Sequence, residues 1–333
     1  MERVTIKDIA KESGVSTASV SRVLNETGNV SEKVQKRVLD AVKKLNYQPN
    51  AVARSLKLQR TNTIGVILPD IANSYFMQIS KGIESVIGKK KYTLLFASSD
   101  ENPEKEKKLL QTFVEKRVDA IVVATAGHND QRILNINHYG IPIILMDREL
   151  TNKTKSLSFV GENNVKSAYD LTNYILNHGH TRIGVINGNL EVTTGFERFQ
   201  GFVKATTEKK IFQDKNLIYN GNFTENDGTK AVKKFMSLEE KPTAILSFNN
   251  TMTYGAILEL VKLNISIPND IFIASFGKTN LERVLDDWKI TYIQQRPYEM
   301  GIQIGEILMN KLNGNSFENK EYIFELEIVK SNS

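Results

Sequence analysis

From residue 61 onward, short runs of Val, Ile and Leu alternate with segments of helical periodicity. Continuous apolar runs are typical of strands buried on both faces, as in parallel sheets covered by helices. Roughly ten such units exceed what one core accommodates, so the sequence predicts two doubly wound lobes of α/β class. Ligands of this architecture bind at the carboxyl ends of the strands, which places the expected site between the lobes.

The boundaries of these segments follow from the runs themselves. The predicted strands are 63–69, 92–97, 120–124, 142–147, 158–160, 182–186, 244–248, 271–276 and 291–294. The predicted helices are 76–89, 104–116, 164–177, 197–210, 227–236 and 251–263.

The first sixty residues differ from the rest in charge. They hold 12 Lys and Arg against 6 Asp and Glu, a surplus of +6, which equals the net charge of the whole chain. Residues 61–333 therefore hold 44 − 12 = 32 basic and 38 − 6 = 32 acidic residues and are neutral. This segregation indicates a polyanion-binding module joined to a neutral body.

Three short helices are predicted in this basic module. Thr5 starts the first helix, with Asp8 completing a capping box, and Gly14 ends it. Ser16 caps a second helix over 17–24, and Ser31 caps a third, in which Val34, Val38, Leu39, Val42 and Leu45 recur at helical spacing. A helix, a tight turn with glycine and a short second helix form a helix-turn-helix.

The second helix has small polar side chains where a DNA reader needs close approach. Thr17, Ala18, Ser19 and Ser21 can contact phosphates or thymine methyl groups, and Arg22 can reach a phosphate or a guanine edge. A small helical bundle with polar faces is the alternative.

Four motifs in this module resemble the N-terminal signature of the lac/gal repressor family: VTIKDIA at 4–10, GVS at 14–16, VSRVLN at 20–25 and LNYQPN at 45–50. The resemblance implies a helix-turn-helix over 1–49 and a hinge helix within 50–60 that folds in the minor groove and inserts a leucine wedge. The DNA contacts that it implies are Thr5, Ser16, Thr17, Ala18, Ser19, Ser21, Arg22, Asn25, Asn29, Val30, Ser31, Tyr47, Asn50, Ala53 and, as the wedge, Leu56.

The body resembles the effector domain of the same family, which has the periplasmic-binding-protein fold. The resemblance implies a near lobe of about 61–160 plus 291–322 and a far lobe of about 161–290 plus 323–330. The effector contacts that we expect are Asn73, Tyr75, Phe76, Asp147, Arg148, Arg198, Phe223, Asn249, Lys278 and Gln295.

Three departures from the family pattern bear on the effector. Asn163, Asn250 and the Gly277-Lys278 pair stand where the family usually has carboxylates. Vicinal sugar hydroxyls are commonly held by Asp, and an anion would be favoured by Arg148, Arg198, Lys278 or Arg296. We therefore expect an acidic effector, such as a sugar acid of the 2-keto-3-deoxygluconate type or a sugar phosphate, against the alternative of drift around a neutral-sugar site.

Several functions are disfavoured by what the sequence lacks. It has no phosphate-binding glycine loop, no cysteine, and no defensible metal or catalytic spacing among its four histidines, so we expect no enzyme activity, no metal and no cofactor. No apolar signal segment begins the chain, so we expect a cytoplasmic location.

The expected protein is a homodimeric repressor of a carbohydrate-utilisation operon. It binds a pseudo-palindromic operator and has no membrane partner, and a small effector shifts the hinge between folded and frayed states. The alternatives are a global catabolite regulator with a phosphoprotein co-effector, a solute-binding protein and a sugar-metabolising enzyme.

Overall fold

The basic module folds as the sequence predicts. The computed structural model describes residues 4–25, 27–48, 60–152, 154–279, 281, 290–314 and 318–330. The chain divides between Thr61 and Asn62 into two units, which are described separately. The first unit holds helices α1 (Ile6–Ser13), α2 (Thr17–Leu24) and α3 (Glu32–Lys44).

Small residues set the helix boundaries of the first unit. Thr5, Ser16 and Ser31 occupy the three N-cap positions, and Gly14 ends α1 at φ +62°, a conformation that glycine adopts without steric cost. Ile9, Val20 and Val38 are fully buried between the helices. Leu39, expected on the inner face of α3, is 49% exposed, and Ala41 is buried instead because it shares the helix face of Val38.

The second unit alternates strands and helices in two sheets, with two short 3-10 turns (Gly88–Lys90 and Lys215–Leu217). Its described strands are β1 (Thr63–Leu68), β2 (Thr93–Ser98), β3 (Ala120–Val123), β4 (Ile143–Met146), β5 (Ser158–Glu162), β6 (Ile183–Asn187), β7 (Ile218–Asn220), β8 (Ala244–Ser247), β9 (Phe272–Ser275), β10 (Thr291–Gln294), β11 (Glu321–Phe324) and β12 (Glu327–Val329). Its described helices are α4 (Ser74–Ile87), α5 (Pro103–Glu115), α6 (Asp130–His138), α7 (Asn164–Asn177), α8 (Thr193–Glu208), α9 (Glu225–Met236), α10 (Asn250–Lys262) and α11 (Pro297–Leu312).

Each lobe is built on a six-stranded sheet. The near lobe has the order β11-β5-β4-β3-β1-β2, entirely parallel, and the far lobe has the order β12-β10-β9-β8-β6-β7, in which only the pair of β10 with β12 is antiparallel. The predicted doubly wound fold is confirmed. No helix in the described ranges is long and apolar enough to span a membrane.

The chain crosses between the lobes three times. It leaves the near sheet after Glu162, returns after Gln294 to form α11, and leaves again after Phe324. The strand β10 therefore belongs to the far sheet, although our expected near-lobe segment began at residue 291, and β11 extends two residues beyond the expected end of that segment at 322. Both differences have one cause: each crossing lies at the carboxyl end of its strand.

Glycine permits one very close helix contact in the near lobe. Helices α4 and α11 touch at Gly82 and Gly301, where a Cβ atom on Gly301 would lie 2.0 Å from the Ile79 carbonyl oxygen. This contact fixes α11 against the near sheet after the second crossing. The start of α11 is thereby held beside the cleft.

Candidate functional site

Helix α2 presents a face of small polar side chains in the first unit. The Ser16 hydroxyl accepts a hydrogen bond from the Ser19 backbone N–H at 3.1 Å, which caps the helix. Val20 and Val23 are buried on the inner side, whereas Thr17, Ala18 and Arg22 are exposed. An exposed face of this composition suits close approach to a DNA groove.

The turn between α1 and α2 is held by a residue that the sequence did not single out. Arg37 of α3 donates through Nη2 to the Ser13 carbonyl and, at 3.1 Å, to the Gly14 carbonyl. These carbonyls belong to the unpaired C-terminal end of α1, which a cation stabilises. The spacing from Ser13 to Arg37 is visible only after α3 has packed.

The other predicted DNA contacts lie around α2. Thr5 closes the capping box by donating from N and Oγ1 to Asp8 at 2.8 and 2.7 Å, and the hydrogen bonds from Thr5 lower the pKa of Asp8. Asn25 ends α2 and donates to the Ser21 carbonyl at 2.8 Å. The remaining described ones are half-buried (Ser19, Ser21, Val30 and Tyr47) or exposed (Asn29 and Ser31). Asn50, Ala53 and the proposed wedge Leu56 lie outside the described residues.

A cavity of about 520 Å³ opens between the lobes at the carboxyl edges of both sheets, within the size range of small-molecule sites. Nine of the ten expected effector contacts line it: Asn73, Tyr75, Phe76, Asp147, Arg148, Arg198, Phe223, Asn249 and Gln295. The tenth, Lys278, lines a neighbouring pocket of about 230 Å³, and its ammonium group lies 5.6 Å from the Tyr292 ring centre. The sequence did not single out Glu101, Thr194 or Asn222, which also line the cavity.

Arg148 is neutralised inside the near lobe. Its Nη1 and Nη2 atoms donate to the two Glu101 carboxylate oxygens at 2.6 and 2.7 Å, and Nη1 also donates to the Thr125 carbonyl. Burial favours the neutral form, but the Glu101 carboxylate outweighs it, and the pKa of Arg148 is raised. The guanidinium lies 5.0 Å from the ring centre of Phe223 in the far lobe, and its buried Nε has no hydrogen-bond partner in the described part of the chain.

Arg198 is the buried cation of the far lobe. It donates from Nε to Asn164 Oδ1 and from Nη1 to the Phe248 carbonyl, both at 2.8 Å, and lies 3.8 Å above the Phe276 ring centre. Burial lowers its pKa, and the carboxylates of Asp147 and Glu162 oppose that shift. The charge of Arg198 is therefore balanced by acids of the opposite lobe.

Asp147 forms part of the near-lobe wall in a left-handed conformation, at φ +64°. The Tyr75 hydroxyl donates to its Oδ1 at 3.0 Å, and burial, followed by the Asp147 charge, raises the pKa of Tyr75 well above its ordinary value. On the far wall, the buried Thr194 hydroxyl has no partner among the described residues. Thr194 Oγ1 and Arg148 Nε are thus buried polar atoms that a ligand can satisfy.

The lobes touch across the cleft. Asn73 and Asn250 exchange amide hydrogen bonds at 3.3 and 3.1 Å, and the Glu149 N–H donates to Thr193 Oγ1 at 3.0 Å. Further along, His128 Nε2 lies 3.1 Å from Glu191 Oε2, with both side chains mostly exposed. These contacts define a closed arrangement of the two lobes.

The charges of the cleft differ from the expectation of a cationic site. Of the three departures, only Asn250 lines the cavity; Asn163 caps α7 and donates to Glu325 at 2.8 Å, and Lys278 lies in the neighbouring pocket. Five carboxylates line the cavity (Asp70, Asp100, Glu101, Asp147 and Glu225) against two guanidinium groups. The inference of a cationic cleft was wrong because lost carboxylates were counted without those that remain.

A helix-turn-helix unit joined to a two-lobed domain with a ligand cleft defines a ligand-responsive DNA-binding protein. Residues 5–50 match the model of bacterial regulatory proteins of the lacI family, and residues 61–329 match the model of periplasmic binding proteins and the sugar binding domain of the LacI family. The chain belongs to the lacI family of bacterial regulatory proteins. It is a transcriptional repressor with a sugar-binding domain, and its relatives are regulators rather than enzymes.

Two relatives match almost the whole chain. The HTH-type transcriptional repressor PurR of Aliivibrio salmonicida is 33% identical over 99% of this chain and 98% of its own length. The HTH-type transcriptional regulator RegA of Clostridium saccharobutylicum is 34% identical over the same shares. The crystal structure of the Lac repressor dimer bound to operator and the anti-inducer ONPF has the same fold, with a TM-score of 0.84 at 22% identity over 99% of this chain and 98% of that one.

Proposed function

We propose that the chain represses a carbohydrate-utilisation operon and that a small, hydroxyl-rich, sugar-derived effector in the cleft controls its operator binding. The observation that carries this proposal is the pair of buried, unpartnered polar atoms in the cleft wall, Arg148 Nε and Thr194 Oγ1. Amide side chains of Asn73, Asn222 and Asn249 surround the same cavity. Closely spaced donors and acceptors of this kind bind hydroxyl groups.

The charge of the cleft favours a neutral effector over the sugar acid that the sequence suggested. Arg148 already has a bidentate carboxylate partner, so it offers one neutralised N–H and not a free cation. An added anion would face the remaining carboxylates at close range in a partly desolvated cavity, which is unfavourable. The effector that fits best therefore has hydroxyl groups and no carboxylate or phosphate.

Control of DNA binding requires that the cleft and the hinge be coupled. We infer that effector binding changes how far the lobes close, and that closure shifts the Asn50–Leu56 segment between folded and frayed states. Such coupling is typically worth about 1–3 kcal/mol. We further propose that the chain acts in the cytoplasm as a homodimer on a pseudo-palindromic operator; the exposed apolar side chains of Ile71, Met77 and Phe96 beside the edge strand β2 support pairing of two copies.

Calorimetric titration tests the effector proposal. The full chain is titrated with neutral sugars and with the aldonic or uronic acid matched to each, and with their phosphates. We expect saturable binding of a neutral member, weaker binding of its acid by tenfold or more, and loss of binding in Arg198→Ala. Lys204→Ala, on the exposed side of the same helix α8, serves as the control and should bind as the wild type does. Preference for the acid of a pair would contradict the neutral assignment.

Duplex binding tests the reader. Arg22→Ala should weaken operator binding and reduce its salt dependence, because a phosphate or base contact is lost. Leu56→Ala should lower operator affinity by several kcal/mol while effector binding is retained, since the proposed wedge pays for kinking the duplex. Unchanged operator binding in Leu56→Ala removes the wedge. Operator control by a phosphoprotein from the cell, with no response to any sugar, would favour the co-effector alternative.

A further inference from the structure

Glu162 is a buried acid that the proposed effector contacts do not use. It ends β5, where the chain first leaves the near lobe, and its side chain is 3% exposed. The Gln295 amide, which follows the second crossing, donates to Glu162 Oε2 at 2.7 Å. One hydrogen bond thus joins two of the three segments that connect the lobes.

The carboxyl group has too few partners for a stable carboxylate. Its Oε1 atom is buried and has no hydrogen-bond partner within the described ranges, and Gln295 is a neutral donor. An uncompensated buried charge is costly, so such a group tends to take up a proton. A protonated carboxyl would leave Oε2 free to accept from Gln295.

The charged groups around Glu162 come from both lobes. Asp147 follows the neighbouring strand β4, and its backbone N–H donates to the Val160 carbonyl at 2.9 Å; its carboxylate disfavours a second negative charge. Arg198, from α8 of the far lobe, favours the carboxylate, as do Gln295 and the Arg296 backbone N–H. Tyr75 from α4 completes the surroundings, and it donates to Asp147.

Burial outweighs these favourable groups. It raises the pKa of Glu162 from its ordinary value of 4.5 to about 7, and the Asp147 charge adds to the shift. The far-lobe residues that enclose this region, Arg198 and Asn164, are held together by a 2.8 Å hydrogen bond. They would move away together when the cleft opens, which admits water to the carboxyl group.

We propose that Glu162 is a positioning residue for the cleft and that closure of the two lobes takes up a proton on its carboxyl group. The proton removes the repulsion from Asp147 and leaves Arg198 balanced by one carboxylate. The protonated group keeps Gln295, which lines the cavity, bound between the first and second crossings. The effect on effector affinity rests on the proposed function; the coupling of closure to a proton does not.

The sign follows from the two states. A group whose pKa is raised in the closed form favours closure at low pH, fully below about 4.5, and this favour is lost as the pH rises through about 7. With these two values, the closed-to-open ratio falls roughly tenfold between pH 6 and pH 8. Neither DNA nor effector is needed to observe the change.

Closure can be followed by fluorescence energy transfer between two engineered cysteines, because the chain has no cysteine of its own. Lys107→Cys on α5 and Lys230→Cys on α9 are exposed and lie outside the cavity wall. The full chain should show the tenfold fall from pH 6 to pH 8, and Glu162→Gln, which imitates the protonated group, should remove it. A pH-independent ratio in the wild type, or an unchanged dependence in Glu162→Gln, overturns the proposal.

His128 requires a control because its contact with Glu191 also spans the cleft. His128→Gln should keep the tenfold dependence, since both side chains of that pair are mostly exposed. Loss of the dependence in His128→Gln would assign the effect to the histidine and overturn the role of Glu162. A carboxyl ¹³C titration, with Glu162 assigned by its absence in Glu162→Gln, gives a second test: a midpoint near 4.5 in the closed chain contradicts the proposal. Failure here leaves the repressor assignment intact, because operator binding is measured separately.

Discussion

Replacing Glu101 by Gln removes the carboxylate that neutralises a buried arginine. The side chain of Arg148 is 3% exposed and that of Glu101 is 10% exposed, and two hydrogen bonds of 2.6 and 2.7 Å join them. In Glu101→Gln the guanidinium keeps the Thr125 carbonyl and a distant Asp147 carboxylate, 3.9 Å from Nε. Breaking a buried ion pair by removing one partner costs about 3–5 kcal/mol. We expect a loss of about 3 kcal/mol, near the lower end, because Asp147 retains part of the balance.

The assay is thermal unfolding of the full chain by calorimetry. A unit of this size shifts its midpoint by roughly 2–4 °C per kcal/mol, so Glu101→Gln should unfold about 6–12 °C earlier. The matched control is Glu104→Gln, the same chemical change at a side chain that is 75% exposed and lies 3.5 Å from Lys107. It should cost less than about 1 kcal/mol. The double change Glu101→Leu with Arg148→Met should recover most of the loss. A shift in Glu101→Gln no larger than that of the control would refute the buried-pair reasoning.

Three further changes test the packing of the two units. Ser16→Ala should destabilise α2 by about 1 kcal/mol through loss of its cap, measured as faster amide exchange over residues 17–24, with Thr17→Ala expected to have less effect. Arg37→Ala should loosen the α1–α2 turn by about 1.5–3 kcal/mol in the same exchange experiment, whereas its exposed neighbour Lys36→Ala should change little; equal effects would remove the role given to Arg37. Gly301→Ala should cost about 1–3 kcal/mol or more, because its Cβ would meet the Ile79 carbonyl, while Gly88→Ala, at φ −59° with open space, should be neutral or slightly stabilising by calorimetry.

Most of the fold could be predicted because it depends on local patterns. The caps at Thr5, Ser16 and Gly14 bounded the first helices, and continuous apolar runs marked the central strands of both sheets. The strands β7, β11 and β12 were missed because they are short and lie at sheet edges, where partly exposed residues interrupt the apolar run. Helix α11 was also not predicted.

The chemistry of the cleft was less accessible from the sequence. Nine expected residues line the cavity, but the sequence does not show which charges are already paired. Glu101 and Arg148 are 47 positions apart and meet only because the loops after β2 and β4 share one sheet edge. Glu162 likewise acquires its setting from Gln295 at another crossing. Charge counting along the chain therefore overestimated the positive character of the site.

The central claim is that a neutral, sugar-derived molecule in the cleft controls DNA binding by the first unit. The most direct measurement is a DNA footprint over the region upstream of the gene, made with the full chain in the presence of neutral sugars or of their matched acids. We predict protection of a pseudo-palindromic site, changed by a neutral sugar in the wild type and unresponsive to that sugar in Arg198→Ala. Protection that none of the sugars changes, or that only the acids change, would contradict this account.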